Sequence, residues 1–528
     1  MRAKTEPFAV PTSWWSLVEA RARTSPDAVM FADDRGRRLS MLEYRDAACR
    51  VGAALWARGV GPGSVVSWQL PTSLESVVLM SALARVGATQ NPIIAILREA
   101  EVDFIVEQAG SHLLIVPDVW RGHDHRSMAE AIATRRGCEV LVCDLRGEEL
   151  ALPGADPSAL PVPEAIAPED ARTVRWIFYS SGTTGRPKGA KHSDVSLMHG
   201  SNGIIDNVGI TGEDLFPIAY PMPHIGGPTF VAAQLRTGAA TLLVEAFDPV
   251  RSPLAMAEAG ATMLGSAVPF YVAYVEAQRA FGDTPLFPRL RSCPGGGAPT
   301  PPEIAIRTRE VLGGAGVLSG YGLTEFPVAT FAAHEDPLDE RIATNGRPTT
   351  RVDVRIVGLD GADAVAGEEG EVRLRGPQMC LGYVDAALDA EAFDDRGYFC
   401  TGDLGRVNDY GSLLITGRIK DLIIRNAENL SAVEIENALF SHPAVADVAV
   451  IGVPDERWGE TVKAVVVKKK DADVTPGELI DWARARIAGY KLPKSVDFID
   501  AMPRNPTGKI LKRELRKTYW GDKQRQVN

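Results

Sequence analysis

The sequence predicts an α/β protein in two parts. A large N-terminal region of layered α/β sheets carries a small β-barrel-like sheet, and a small mobile α+β C-terminal domain follows. Three observations lead there. Strand-like apolar runs alternate with helical patterns over the first half of the chain, which implies a largely parallel sheet covered on both faces. Near residues 352–375 the pattern changes to polar–apolar alternation, as in half-buried antiparallel strands. The charge balance then breaks at about residue 420: the last 109 residues hold eleven lysines and eight arginines against sixteen acids, while the first 419 sum to −14. At 528 residues the chain exceeds one ordinary core, and the expected division is 1–419 and 420–528.

Taken in order, residues 12–60 carry helical patterning, with Leu42, Ala48, Leu55 and Trp56 near helical spacing and Ser40 as a cap. Gly61-Pro62-Gly63 is a turn before a strand at Ser64–Leu70, and a helix over about Ser73–Val86 ends at Gly87. Ile105–Ala109, Leu113–Val116 and Val140–Cys143 continue the strand alternation. Residues 144–172, rich in Pro, Ala and Glu, read as a surface connection. His192–Asn207 is expected to be helical, Leu215–Pro223 a short buried strand, and Ala240–Val244 and Thr262–Ser266 further members of the alternation. Val352–Val357 and Glu371–Arg375 form the smaller, curved sheet. In the last part, Ala432–Phe440 and Thr475–Ala488 are expected helices, and Val445–Val450 and Val462–Val467 strands.

Composition excludes several classes. A net charge of −11 disfavours a nucleic-acid binder or a protein held on anionic lipid by charge. There is no N-terminal basic segment followed by an apolar run, and no apolar stretch of spanning length, so neither secretion nor a membrane span is expected, and a cytoplasmic location is. The six cysteines show no paired spacing and no nearby histidine ligands; they read as reduced, buried thiols.

The chemistry concentrates in small-residue turns. Ser180-Ser181-Gly182-Thr183-Thr184-Gly185-Arg186-Pro187-Lys188-Gly189 leaves the apolar run Val174–Tyr179. It offers hydroxyls and exposed backbone N–H groups, which suit an anion. Among the first 419 residues the lysines are only Lys4, Lys188 and Lys191, so Lys188 is a point charge kept where arginine otherwise serves. The spacing is not that of a P-loop, since no Ser/Thr follows the lysine to hold magnesium. Pro221–Gly227 brings His224 to a strand end. Ser292–Pro299 offers backbone and little bulk, and Leu318–Glu325 presents Tyr321, Thr324 and Glu325 together. Gly397–Leu404 sets Asp403 just after a turn.

Six pieces in order, YSSGTTGRPKGAKHS, GGGAP, GYGLTE, YFCTGDLG, ITGRIKDLI and PRNPTGKI, closely resemble the adenylate-forming (AMP-binding) enzyme superfamily, in its acyl-CoA synthetase and aryl-CoA ligase branch. The resemblance covers nearly the whole chain. It implies that a carboxylic acid attacks the α-phosphorus of ATP, giving an acyl-adenylate and pyrophosphate, and that a second nucleophile then displaces AMP. It also implies the site. Ser180–Gly189 would close over the β- and γ-phosphates, with Ser180, Ser181, Gly182, Thr183, Thr184, Gly185 and Lys188 as contacts. Thr324 would meet the α-phosphate and Glu325 the magnesium ion. Asp403 would accept both ribose hydroxyls with Arg418 beside it. Gly296, Gly297, Ala298, Pro299, Tyr321 and Gly322 would wall the adenine. Lys509 would bridge carboxylate and α-phosphate, and Lys420 would be the hinge about which the C-terminal domain turns.

The acyl pocket is expected from Met222–Thr229, Gly265–Phe270, Gly295–Gly297 and Tyr321–Val328, including His224, Gly226, Gly227, Ser266, Gly295 and Phe326. No lysine or arginine enters these segments, which points to an apolar monocarboxylic acid, aromatic or alicyclic, with a medium-chain fatty acid as an alternative. One place departs from the resemblance. Where the family commonly reads R-G-G-E-N, this chain has Arg425-Asn426-Ala427-Glu428-Asn429, so a methyl group stands in the tunnel expected to carry the thiol of coenzyme A past Ala427 and Glu428. CoA is the expected acceptor; direct transfer to an amine is the alternative. The expected assembly is a monomer or homodimer.

Overall fold

The computed structural model describes residues 6–163, 170–180, 187–425, 428–455, 459–504 and 509–520. Its centre is a six-stranded sheet in the order Lys188–His192, Trp176–Ser180, Thr89–Pro92, Val65–Trp68, Leu113–Pro117, Glu139–Cys143; all neighbours are parallel except the first pair. Val65–Trp68 and Leu113–Pro117 are apolar and almost wholly buried, as strands covered on both faces require. A second sheet joins Leu215–Ile218, Ala240–Leu243 and Val29–Asp33 in parallel, with Arg38–Ser40 antiparallel at its edge. The two share one core, in which Trp14, Trp68, Trp176, Phe178 and Phe216 are at most 2% exposed.

The helical readings hold where capping chemistry is strong. Ser40 caps Met41–Ala57 by accepting from the Glu43 backbone N–H, and Glu43 returns a carboxylate to the Ser40 N–H. Leu74–Arg85 is capped by Ser73. Three readings are corrected. Ile105–Ala109 is the end of the helix Glu99–Ala109, because Val102, Ile105, Val106 and Ala109 recur at helical intervals and form its buried face. Thr262–Ser266 makes only single bridges, Met263 to Ser292 and Ser266 to Gly295. The stretch His192–Asn207 is not one helix: Lys188–His192 is a strand, followed by the short helices Asp194–His199 and Asn202–Asp206.

Cys293–Gly295 and Val317–Tyr321 are parallel and carry two small-residue turns to the same edge; Thr330–Phe331 and Arg347–Pro348 extend this sheet. The curved sheet is four antiparallel strands, Asp353–Val357, Gly370–Arg375, Phe399–Val407 and Leu413–Arg418, with register shifts beside Arg373 and Gly405 that bend it. Beyond it, Gly459–Lys468 lies between Val445–Asp455 and Ser495–Phe498 and also meets Ile423–Arg425, with a core of its own around Ile435, Val450, Val466 and Leu479. Among the described residues, no helix is long and apolar enough to cross a membrane.

Candidate active site

A cavity of about 790 Å³ opens where the parallel strand ends, the curved sheet and the C-terminal segment meet. Its polar end is organised around Asp403. In the antiparallel pair of Phe399–Val407 and Leu413–Arg418, Asp403 lies opposite Arg418, and the Arg418 Nε is 2.6 Å from Asp403 Oδ1. The Tyr321 hydroxyl donates to Asp403 Oδ2 at 2.7 Å. Burial, reinforced by Asp403, pushes the Tyr321 phenol well above its usual range and keeps it a donor. Asp403 is 3% exposed, so this carboxylate is held in one place by a cation and a phenol.

Lys509 and Lys420 line the same end. Burial lowers the Lys509 ammonium to about 8; Arg418 and Lys420 push in the same direction, and Asp403 and Asp421 oppose them. Burial likewise brings Lys420 to about 8, with Arg418 adding to it. Three cations thus converge on a recess that also admits Lys188, an arrangement suited to several phosphate charges.

Ser180 and Lys188 face each other across the antiparallel pair that brackets the glycine-rich loop. Ser181, Gly182, Thr183, Thr184 and Gly185 lie outside the described residues. Lys188 Nζ stands 5.7 Å from the centre of the Tyr383 ring, and the Tyr383 hydroxyl donates to Glu325 Oε1 at 2.7 Å. Thr324 is fixed through its carbonyl, which takes a hydrogen bond from His192 Nε2 at 2.9 Å; burial drops His192 to about 4, so the ring is neutral. Among the described residues no cluster of three or more His, Cys, Asp or Glu side chains is placed to hold a metal ion.

Gly295, Gly296, Gly297, Tyr321 and Gly322 all reach the cavity. Glycine is required at 296, where a Cβ would stand 2.7 Å from the Gly320 carbonyl oxygen and fill the floor of the cleft. Ala298 and Pro299 line an adjoining cavity of about 570 Å³ that shares Gly297, Tyr321, Asp403, Arg418, Lys420 and Lys509.

The other end of the main cavity is apolar and aromatic. Phe216 and Phe230 stack with ring centres 4.6 Å apart, and Tyr220 meets Phe230 edge-on at 6.2 Å. His224, Gly226 and Ser266 line this cavity as the sequence led us to expect. Two expected members do not. Phe326 is fully buried with Ala329, Val372, Leu374 and Leu413, beneath the turn instead of inside it. Gly227 packs on Met222, whose carbonyl oxygen a Cβ there would strike at 2.3 Å. Ala427 lies outside the described residues, as does the Glu428 side chain, whose backbone belongs to the strand Glu428–Leu430.

Sequence reasoning missed Phe216, Tyr220, Phe230 and Tyr383. Phe216 lies in the strand Leu215–Ile218, Tyr220 in the loop after it and Phe230 in the helix Gly226–Thr237, where they read as ordinary core, and Tyr383 is 58 residues from Glu325 with no local pattern linking them.

The cleft gathers cations and a fixed carboxylate at one end and an aromatic recess at the other, which fits a polyanion held beside an apolar body. The chain belongs to the AMP-binding enzyme family: it matches that family over residues 18–384 and the AMP-binding enzyme C-terminal domain over 434–509. It is 32% identical over 501 residues to a feruloyl-CoA synthase of Amycolatopsis, covering 94% of this chain and 97% of the relative. It is also 32% identical over 514 residues to the long-chain-fatty-acid–CoA ligase FadD13 of Mycobacterium tuberculosis, covering 95% and 98%. Among solved structures, ATP-bound MatB from Rhodopseudomonas palustris superposes with a TM-score of 0.86 at 28% identity, covering 97% of this chain and all of that one.

Proposed function

We propose that this chain is an ATP-dependent carboxylic acid:CoA ligase acting through an acyl-adenylate on a ring-containing apolar monocarboxylic acid. The observation that carries it is the single cavity joining Lys188, Asp403, Arg418 and Lys509 to the recess of Phe216, Tyr220 and Phe230. A carboxylate oxygen attacks the α-phosphorus of ATP and the bond to pyrophosphate breaks. The thiol of CoA then attacks the acyl carbonyl, AMP departs with its bonding electrons, and the thiol proton goes to solvent.

In this reading Asp403 accepts the ribose hydroxyls, and Tyr321 with Gly296–Pro299 encloses the adenine. Thr324 meets the α-phosphate, and Lys509 bridges that phosphate and the attacking carboxylate. Lysine suits this task because two anions must approach while negative charge gathers at phosphorus. Glu325 is a suitable single protein ligand for Mg²⁺: its carboxylate is oriented by Tyr383 inside the cleft, and phosphate oxygens would supply most other ligands. The metal would neutralise phosphate charge. The C-terminal unit starts at Lys420 and turns about it, so that one cleft serves two transition states. The recess is lined by rings and carries none of the four lining cations, which cluster around Asp403 and Tyr383; this favours a neutral, flat acyl body.

The test is acid-dependent pyrophosphate release across aromatic, alicyclic and straight-chain acids, with CoA and separately with amines as acceptor. Ring-containing acids should give the highest kcat/KM, and CoA should convert the adenylate to thioester. Turnover supported only by an amine would overturn the CoA assignment, and preference for straight chains would overturn the ring.

A further inference from the structure

Among the described residues, two tyrosine hydroxyls on the wall of the main cavity are buried without a partner, Tyr179 on the strand Trp176–Ser180 and Tyr220 beside Phe230 in the apolar recess. Tyr220 lines the main cavity, packed edge-on against Phe230, yet its hydroxyl is buried and has no hydrogen-bond partner among the described residues. Tyr271 and Tyr274, on the helix Val268–Phe281, are satisfied within the protein: Tyr271 donates to the Ser266 and Cys293 carbonyls, and Tyr274 donates to the Gly265 carbonyl at 3.1 Å. A buried hydroxyl without a partner costs on the order of 1–3 kcal/mol, which an oxygen of a ligand reaching this cavity wall would offset. Burial raises the Tyr220 phenol well above its usual range, so it enters any contact as a neutral O–H.

His224 supplies a second donor on the same wall. Its Nδ1 accepts the Gly226 backbone N–H at 3.2 Å, which places the ring proton on Nε2. Burial brings this imidazole to about 4, so it is neutral. The two rings are neighbours: a Cβ built on Gly226 would stand 3.2 Å from His224 Nδ1 and 3.7 Å from the Tyr220 ring edge. Among the described residues this wall therefore offers an O–H and an N–H and no cation, in an aromatic setting.

We infer that Tyr220, with His224 beside it, reads a neutral oxygen carried by the acyl body of the acid, so that the preferred substrate is a hydroxy- or keto-substituted acid and not a plain hydrocarbon one. This deepens the acyl-pocket assignment above and rests on it. A second carboxylate is disfavoured because neither donor is charged. The discrimination follows the general asymmetry of such sites: one that hydrogen-bonds a substrate oxygen rejects the analogue lacking it, because its own buried polar group is then left unpaired.

The experiment compares matched pairs in the adenylation half-reaction, read as pyrophosphate release: phenylpropanoate with its para-hydroxy derivative, cyclohexylpropanoate with its ring-ketone derivative, and octanoate with its terminal-hydroxyl derivative. In the wild type at least one oxygenated member should exceed its parent in kcat/KM by about tenfold or more. In Tyr220→Phe that ratio should fall towards one. The ratio is internal to each preparation, so partial loss of folded enzyme cancels, and the wild-type ratio is a test that needs no variant. Parents that equal or exceed their oxygenated partners in all three pairs, or a ratio untouched by Tyr220→Phe, would overturn the inference while leaving ring-acid activation standing. Inert ring pairs beside a Tyr220-dependent preference in the octanoate pair would overturn the ring assignment and keep the inference.

Discussion

The Tyr383 hydroxyl donates to Glu325 Oε1 at 2.7 Å, while the ammonium of Lys188 stands 5.7 Å from the centre of the same ring. One tyrosine therefore meets both the lysine at the foot of the glycine-rich loop and Glu325, the carboxylate proposed above as a ligand for Mg²⁺. Its phenol is driven well above the ordinary range by burial and by Glu325, so it remains a donor at any working pH.

Tyr383→Phe should weaken binding of Mg²⁺·ATP about tenfold, the scale on which partners that orient a metal ligand act. Calorimetric titration of ATP at several Mg²⁺ concentrations checks it. A metal dependence identical to wild type would reduce Tyr383 to a packing residue.

Lys509→Ala should slow adenylation by more than about 100-fold, the scale of a lost transition-state charge contact. Thioester formation from a supplied acyl-adenylate and CoA should proceed. Equal loss in both half-reactions would remove Lys509 from the first step specifically.

Adenylation should fall as pH rises through about 8. The sign follows from the ammonium: burial and the neighbouring Arg418 and Lys420 lower the free-enzyme Lys509 value to about 8, and the protonated form is the one that can stabilise phosphate charge. The descending limb belongs to kcat/KM for the acid, which reports the free enzyme. A profile flat to pH 9.5 would contradict this assignment, where about 9.5 leaves most of such a group deprotonated. Lys420→Ala separates the two lysines, since Lys420 also titrates near 8.

Asp403→Ala should raise KM for ATP by at least about tenfold and lower stability by about 2 kcal/mol, because it strips Arg418 and Tyr321 of a charged partner. Thermal unfolding alongside ATP titration distinguishes the two effects. Full ATP affinity with lowered Tm would make Asp403 a structural residue alone.

Much of this was legible because it depends on local chemistry. Ser40 capping Met41–Ala57, and the small-residue turns at 295–299 and 320–325, obey rules that act over a few residues. The positions of Asp403 and Arg418 were readable as motifs, but their facing register belongs to the bent antiparallel pair. Ile105–Ala109 misled as a strand because a short apolar run has no period of its own; its helical face appears only with Val102 included. Phe326 stands next to Glu325, yet the turn sends its ring into the core beneath. Tyr383 and Glu325 are brought together only by the tertiary fold, so no reading of either segment alone could pair them.

The convergence of Lys420, Lys509 and Arg418 has a consequence for turnover. Like charges gathered in a poorly solvated cleft repel, and the two lysines are lowered first by burial and then by that repulsion. In the proposed reaction the polyphosphate would relieve it, so the nucleotide would act as a counter-ion between the two parts of the chain that line the cleft. Once pyrophosphate leaves, much of that negative charge is gone and the cations again push against one another. Product departure would thereby loosen the C-terminal part on the proposed cycle, at the moment when a second substrate has to enter.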